Sequence, residues 1–251
     1  MNRTGLLSDA LDVRGGRLVS LTGGGGKTTA LLTLAREAGD ARLRVLASTT
    51  TKVGARVESE MPVVFTDTPD WRAALRRRLA EDGRAFLAAS RDGDGKLTGV
   101  DEETLETTRD LADLILVEAD GARQRPLKIP GDHEPVIPRT SDLVVPVAGL
   151  DALGRPIAPD VVHRPESLPA ELSGGLVTAE FVARVLTSDW GGMKGVPGGA
   201  TVRPILNKLD LSSVEEAQEV AELVLSVEVP EIDRVILASL KRREYAFLKQ
   251  G

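Results

Sequence analysis

Residues 17–29 read Arg17-Leu18-Val19-Ser20-Leu21-Thr22-Gly23-Gly24-Gly25-Gly26-Lys27-Thr28-Thr29. An apolar strand, Arg17 to Thr22, runs into a glycine turn. A helical pattern then opens at Lys27, with Leu31, Leu34, Ala35 and Ala38 at helical spacing. This is the layout of a P-loop. Gly23, Gly24, Gly25 and Gly26 let successive backbone N–H groups converge on phosphate oxygens, and the helix N-terminus adds the positive end of its dipole. Lys27 would reach the β- and γ-phosphates of a nucleoside triphosphate. Thr28 would place a hydroxyl on Mg²⁺, with Thr29 closing the cradle. The full pattern G-x-x-x-x-G-K-[ST] asks for glycine at the position of Leu21, so the loop is a variant.

A P-loop needs a carboxylate at the end of a nearby apolar strand to order magnesium and its waters. Leu114-Ile115-Leu116-Val117-Glu118-Ala119-Asp120-Gly121 supplies two, Glu118 and Asp120, and the sequence does not choose between them. Lys27, Glu118 and Asp120 are therefore the catalytic candidates, and Thr28, Glu118 and Asp120 the metal candidates. Thr50 and Thr51 follow a second strand, Leu43 to Ser48. Strand C-termini gather at the ligand crevice of a parallel sheet, so these hydroxyls are expected near the γ-phosphate or Mg²⁺.

Leu206-Asn207-Lys208-Leu209-Asp210 closes a late apolar strand, Val202 to Leu206. Asn-Lys-x-Asp at such a place is a guanine-reading pattern. An aspartate accepts both N1–H and N2–H₂ of guanine, which adenine cannot donate. Asn207 either bonds the base or braces the loop, and the Lys208 stem covers the ring. GTP is favoured, with ATP as the alternative.

The rest of the chain alternates apolar runs with helical patterns, which indicates an α/β protein. The expectation is a P-loop NTPase-like, three-layer fold with a mainly parallel sheet flanked by helices. Further strands are expected at Pro62 to Phe65, Ala85 to Ala89, Leu143 to Val147 and, as the last one, Arg234 to Leu240. Helices are expected around Trp71, Leu75 and Leu79, over Thr178 to Leu186, and over Val214 to Leu225. Asp120 to Pro138 is expected to be a loop. Residues 1–251 form one expected domain, with a long irregular insertion at about 149–173. Asp92-Gly93-Asp94-Gly95 fails the EF-hand pattern, because Lys96 and Leu97 replace the third oxygen ligand and the glycine.

A formal charge of −6 argues against a broad nucleic-acid footprint. The absence of cysteine excludes disulfides, zinc–thiolate sites, iron–sulfur clusters and thiol nucleophiles. There is no signal-peptide pattern and no run of ~18 apolar residues. A soluble cytoplasmic protein, without membrane contact, is expected.

The P-loop, Thr49 to Lys52 and Val117-Glu118-Ala119-Asp120-Gly121-Ala122-Arg123 together resemble the YqeC family. So do Arg125-Pro126-Leu127-Lys128, His133-Glu134-Pro135-Val136-Ile137-Pro138, Val147-Ala148-Gly149-Leu150-Asp151, His163-Arg164-Pro165-Glu166 and Leu206 to Asp210. The resemblance implies a nucleotide-binding accessory protein in the maturation of a selenium-dependent molybdenum hydroxylase. The implied partners are that enzyme or its cofactor-maturation proteins. It does not supply a reaction: hydrolysis, nucleotide-gated cofactor delivery and small-molecule phosphorylation all remain open. Without cysteine, selenium cannot ride on a thiol of this chain. Arg123, Arg125, Lys128 and His133 concentrate positive charge beside the carboxylates and are candidates for holding an anionic substrate.

Overall fold

The computed structural model describes residues 1–250. In chain order the elements are β1 (Asn2–Thr4), α1 (Leu7–Leu11), β2 (Arg17–Gly23), α2 (Lys27–Asp40), β3 (Val45–Thr49), β4 (Val63–Phe65), α3 (Trp71–Asp82), β5 (Arg84–Ala88), α4 (Glu102–Glu106) and β6 (Leu114–Glu118). There follow β7 (Leu127–Lys128), β8 (Leu143–Gly149), β9 (Val162–His163), α5 (Ala179–Thr187), β10 (Thr201–Val202), β11 (Ile205–Asn207), α6 (Val214–Ser226), β12 (Arg234–Ser239) and β13 (Glu244–Lys249).

One sheet organises the molecule, in the order β1-β13-β12-β11-β8-β2-β6-β3-β5-β4, with β10 also against β8. Its pairs are parallel except where β13 joins β12 and β1. β2 lies near the centre, between β6 and β8.

Side chains alternate across a strand, so a strand buried on both faces reads as a continuous apolar run. Val19, Leu21, Leu116 and Val145 pack on one face with α1 and α2. On the other face, Leu18, Ile115 and Val117 pack with α3 and α4. Val144, Leu206, Val235 and Leu237 pack there with α5 and α6. The result is a three-layer α/β fold of the P-loop NTPase-like kind. Residues 149–173 carry short 3-10 turns and β9, which pairs with β7.

Three expectations need correction. Asp120 to Pro138 is not loop throughout, because Leu127–Lys128 forms β7 beside β9. Arg234 to Leu240 is not the last strand: Glu244–Lys249 returns antiparallel beside it and takes β1 as its outer neighbour. The expected strand Val202 to Leu206 is broken. Pro204 lacks an N–H, and the Arg203 guanidinium turns to Asp233 and to the Leu11 carbonyl. A short helix, α4, also starts at Asp101, whose carboxylate accepts the Thr104 N–H.

Glu37 ties the first helix to the P-loop helix. Its buried carboxylate accepts the Leu7 N–H at 3.1 Å and the Ser8 N–H at 2.8 Å, two donors that a helix start leaves unsatisfied. Glu37→Ala is expected to lower unfolding free energy by about 2–3 kcal/mol in urea titrations, the scale of charge-assisted hydrogen bonds lost from a buried site.

Candidate functional site

The position of Leu21 explains the variant loop. It is fully buried inside β2, paired with Glu118 on β6 and Val145 on β8. The strand continues to Gly23, so the turn before α2 is only Gly24 to Gly26. Its backbone is pressed against neighbouring chain. Gly23 has φ +86°, and a Cβ there would lie 2.4 Å from the Val147 carbonyl oxygen. Gly25 has φ +73°, and a Cβ would lie 2.4 Å from Gly149 N.

These contacts revise the idea that all the glycine amides face a phosphate. Gly23 N–H donates to Asp120 Oδ2 at 3.1 Å, Gly24 N–H to Val147 O at 2.8 Å, and Gly25 N–H to Arg125 O at 2.8 Å. The amides of Gly26, Lys27, Thr28 and Thr29 have no protein acceptor among the described residues. They form the free N-terminus of a 14-residue helix, a ready anion site.

Asp120 is the hub beneath this turn. Its Oδ1 lies 3.0 Å from Lys27 Nζ and its Oδ2 3.2 Å from Lys128 Nζ. The Lys27 contact is an ion pair without hydrogen-bond alignment, so Oδ1 is buried with no hydrogen-bond donor among the described residues. Lys27 Nζ also donates to the Gly23 carbonyl and sits 4.0 Å from Glu118 Oε1. Lys128 is wholly buried. It donates to Gly121 O and lies 2.8 Å from Glu134 Oε2, which in turn pairs with Arg164. Alternating charges thus run from Lys27 through Asp120, Lys128 and Glu134 to Arg164. Burial pushes the Glu134 carboxyl up, but Lys128 and Arg164 outweigh it, and the net shift is downward.

Glu118 has a different role. Thr28 Oγ1 donates to its Oε2 at 2.8 Å. Burial raises the Glu118 pKa, against the opposing pull of Lys27 and the Thr28 hydrogen bond. No cluster of three or more His, Cys, Asp or Glu suited to a metal occurs among the described residues. A P-loop magnesium needs none, because phosphate oxygens and water complete its shell. The Thr28 hydroxyl, the Glu118 carboxylate and the orphaned Asp120 Oδ1 are hard oxygen donors of the right kind.

On the other side of β2, Asn207 bridges two segments. Its Nδ2 donates to Gly25 O at 2.7 Å, and its Oδ1 accepts the Leu240 N–H at 3.1 Å. Of its two sequence readings, the side chain makes the loop-bracing contact. Ser239 Oγ donates to Asp210 Oδ1 at 2.7 Å and holds that carboxyl below its usual range. Lys208, at φ +66°, pairs with Asp151 Oδ2 at 2.6 Å. Sequence reasoning missed Ser239, Leu240 and Asp151. Asp151 stood inside a recurrent motif without a role; Ser239 and Leu240 carry no local signal and are found only through the register of β12 beside β11.

Several candidates stand elsewhere. Thr50 Oγ1 donates to Val136 O, and the buried Thr51 Oγ1 has no partner among the described residues. Arg123 and His133 are exposed, and Arg125 is half-buried. Arg123 and Gln124 form consecutive left-handed residues that swing Arg125 O onto the P-loop. Lys128 is engaged inside the charge chain and does not join Arg123 and His133 as an open anion patch. His163 is half-buried, and its pKa is lowered by burial and by nearby Lys128 and Arg164.

A glycine turn between a central parallel strand and a helix, with one carboxylate closing the adjoining strand and a second just beyond it, defines a P-loop α/β protein. The family model described as YqeC protein matches residues 19–166. The "Uncharacterized protein YqeC" of Escherichia coli (strain K12) is 32% identical over 232 residues, covering 89% of this chain and 88% of its own. The chain belongs to the YqeC family. Among solved structures, FtsY from Mycoplasma mycoides aligns at 13% identity and a TM-score of 0.42, over 95% of this chain and 65% of its own. The GTPase PAB0955 from Pyrococcus abyssi, in its apo form, aligns at 15% identity and a TM-score of 0.39, over 91% and 92%. The fold assignment rests on the sheet and its loop, not on these distant likenesses. No helix among the described residues is long and apolar enough to cross a membrane.

The raised pKa of Glu118 has a signed consequence. The folded protein keeps this proton to higher pH than the unfolded chain, so its contribution to stability falls as pH rises above about 4.5, the ordinary glutamate value. Glu118→Gln is expected to flatten that part of the stability–pH curve and to make the nucleotide-free protein more stable than wild type at neutral pH. Urea titrations from acid to neutral pH read this directly.

Proposed function

We propose that this YqeC family member binds GTP with Mg²⁺ and acts as a nucleotide-driven accessory protein in the maturation of a selenium-dependent molybdenum hydroxylase. The observation that carries the nucleotide reading is the Asn207 bridge from Gly25 O to Leu240 N–H. It fixes a base-side segment to the phosphate loop, so one ligand can touch both. Ser239 turns Asp210 so that one carboxylate oxygen is held and the other is left for guanine N–H groups. The family likeness supports the maturation role, with a molybdenum hydroxylase or its cofactor-maturation proteins as partners.

In this reading the free amides of Gly26 to Thr29 bind phosphate oxygens. Lys27 leaves Asp120 for the β- and γ-phosphates. Thr28, with Glu118 and Asp120 behind it, would hold Mg²⁺, which would supply charge neutralisation on the phosphates. Glu118 would order water near the metal through its Thr28 contact, whereas Asp120 holds Lys27 at the turn. The Thr28–Glu118 hydrogen bond and the Lys27–Asp120 ion pair support this division. Asp120 and Lys128 are already paired beneath the turn and need little reorganisation, whereas Lys27 exchanges its carboxylate partner for phosphate.

A gating role without steady turnover is a second reading, favoured by the Gly25 N–H to Arg125 O hydrogen bond. Phosphate contact at Gly25 would displace the Arg123–Pro126 segment and so report nucleotide to the surface. Phosphate release at multiple turnovers by the protein alone supports hydrolysis. Release only after a partner is added supports gating, and phosphate appearing on a small molecule supports a transferase.

Lys27→Ala is expected to weaken triphosphate binding at least about 100-fold, the loss of roughly 2.8 kcal/mol of charge-assisted contact. Unchanged affinity by calorimetry would remove the phosphate reading.

Asp210→Ala is expected to weaken GTP about 10- to 100-fold while leaving ATP nearly untouched. A wild-type preference for ATP in a nucleotide panel with and without Mg²⁺ rejects guanine.

A further inference from the structure

Two strands from the phosphate turn, beyond β6, lies a concavity that the nucleotide reading does not use. It is a cleft of about 350 Å³, lined by Thr50, Gly99, Val100, Asp101, Glu102, Val136, Ile137 and Pro138. That volume lies in the range of small-molecule sites. The cleft sits at the C-terminal end of β3, where a parallel sheet places ligands.

Its walls are tied to the carboxylate segment. Thr50 N–H donates to Glu118 O at 3.2 Å, and Val136 N–H donates to Ala119 O at 2.9 Å. Thr50 Oγ1 closes the ring on Val136 O at 2.7 Å. Gly99 is pressed onto the same segment: a Cβ there would lie 2.3 Å from the Thr50 carbonyl carbon. These contacts give the cleft a fixed backbone frame, not a wall of loose side chains.

Topology gives the cleft its direction. The base-side residues Asn207, Asp210 and Ser239 lie on the β8–β11–β12 side of β2. The cleft lies on the opposite, β6–β3, side. If the nucleotide is oriented as proposed above, its terminal phosphate points toward the cleft. This orientation rests on that reading; the cleft itself does not.

The lining selects a ligand. Val136 is 46% exposed in the wall, next to Ile137 and Pro138, and a flat apolar body would cover it. Asp101 and Glu102 supply carboxylates, and no cation lines the cleft. Asp101 keeps one oxygen on the Thr104 N–H, and Glu102 keeps one on the Arg139 N–H at 2.6 Å. Asp101 retains a second oxygen, whereas the second oxygen of Glu102 faces Arg139 Nε. Arg139 Nε comes within 4.0 Å of Glu102, but its side chain is 91% exposed.

We propose that the cleft between Thr50, Gly99 to Glu102 and Val136 to Pro138 binds a second ligand, a small neutral or cationic organic molecule with a flat apolar body and an edge of N–H donors. An anionic ligand belongs elsewhere, because the carboxylates repel it.

The test uses two flat probes of the same shape and opposite charge, benzamidine and benzoate, titrated into the full nucleotide-free chain labelled for amide NMR. Benzamidine is expected to shift the Thr50, Gly99 and Val136 amides saturably and to bind about fivefold more tightly than benzoate, the scale of an exposed ion pair. The double variant Asp101→Asn/Glu102→Gln keeps side-chain size and should erase that preference. Equal or tighter benzoate binding, shifts located elsewhere, no saturable shift with either probe, or an unchanged preference in the double variant overturns the proposal. Lys27→Ala should bind benzamidine like wild type. Failure of the cleft and failure of the phosphate reading therefore appear in separate measurements.

Discussion

The whole arrangement depends on one carboxylate. Asp120 is almost completely buried, yet it meets Lys27 on one oxygen and Lys128 and the Gly23 amide on the other. A buried carboxylate is tolerated only when paired and hydrogen-bonded. The three partners come from the P-loop helix, the β7 strand and the end of β2. Holding them together fixes the turn against the adjoining strand before any ligand arrives. It also keeps Lys27 close to where a phosphate would need it, at the cost of one ion pair that must be exchanged.

This view separates two acidic residues that look alike in sequence. Glu118 ends its strand facing Thr28, and its burial resists ionisation. Asp120 lies two residues on, after the strand has ended, and gathers lysines. A perturbed group such as Glu118 is typical of places where chemistry is done. The same comparison shows why Lys128 is not a free anion ligand: its neighbours already use its donors.

Much of the fold was legible because β2, β6 and β8 are buried on both faces and announce themselves as apolar runs, and because glycine marks the turn. The parts that were not legible have physical causes. β13 pairs at the antiparallel end, where Glu244 and Lys249 dilute the apolar signal of Tyr245 to Leu248. β10 and β11 read as one apolar run although Pro204 marks the break locally; only the anchoring of Arg203 to Asp233 and Leu11 O lacks a sequence signal. In the candidate site, residue types singled out Lys27, Thr28, Glu118 and Asp120 as candidates, but only geometry assigns their partners. The use of the Gly24 and Gly25 amides by Val147 and Arg125 carbonyls has no local signature, since backbone acceptors can belong to any residue.

The order of the site along the chain bears on how the protein is made. The phosphate turn and its carboxylates lie in the first half of the sequence, whereas Asn207, Asp210 and Ser239 lie in the last fifth. A chain leaving the ribosome folds from its N-terminal side. The turn can therefore form while its brace at Gly25 O is still missing, and it is completed only when β11 and β12 dock. A ligand that spans both sides would favour the finished state over every partly folded one.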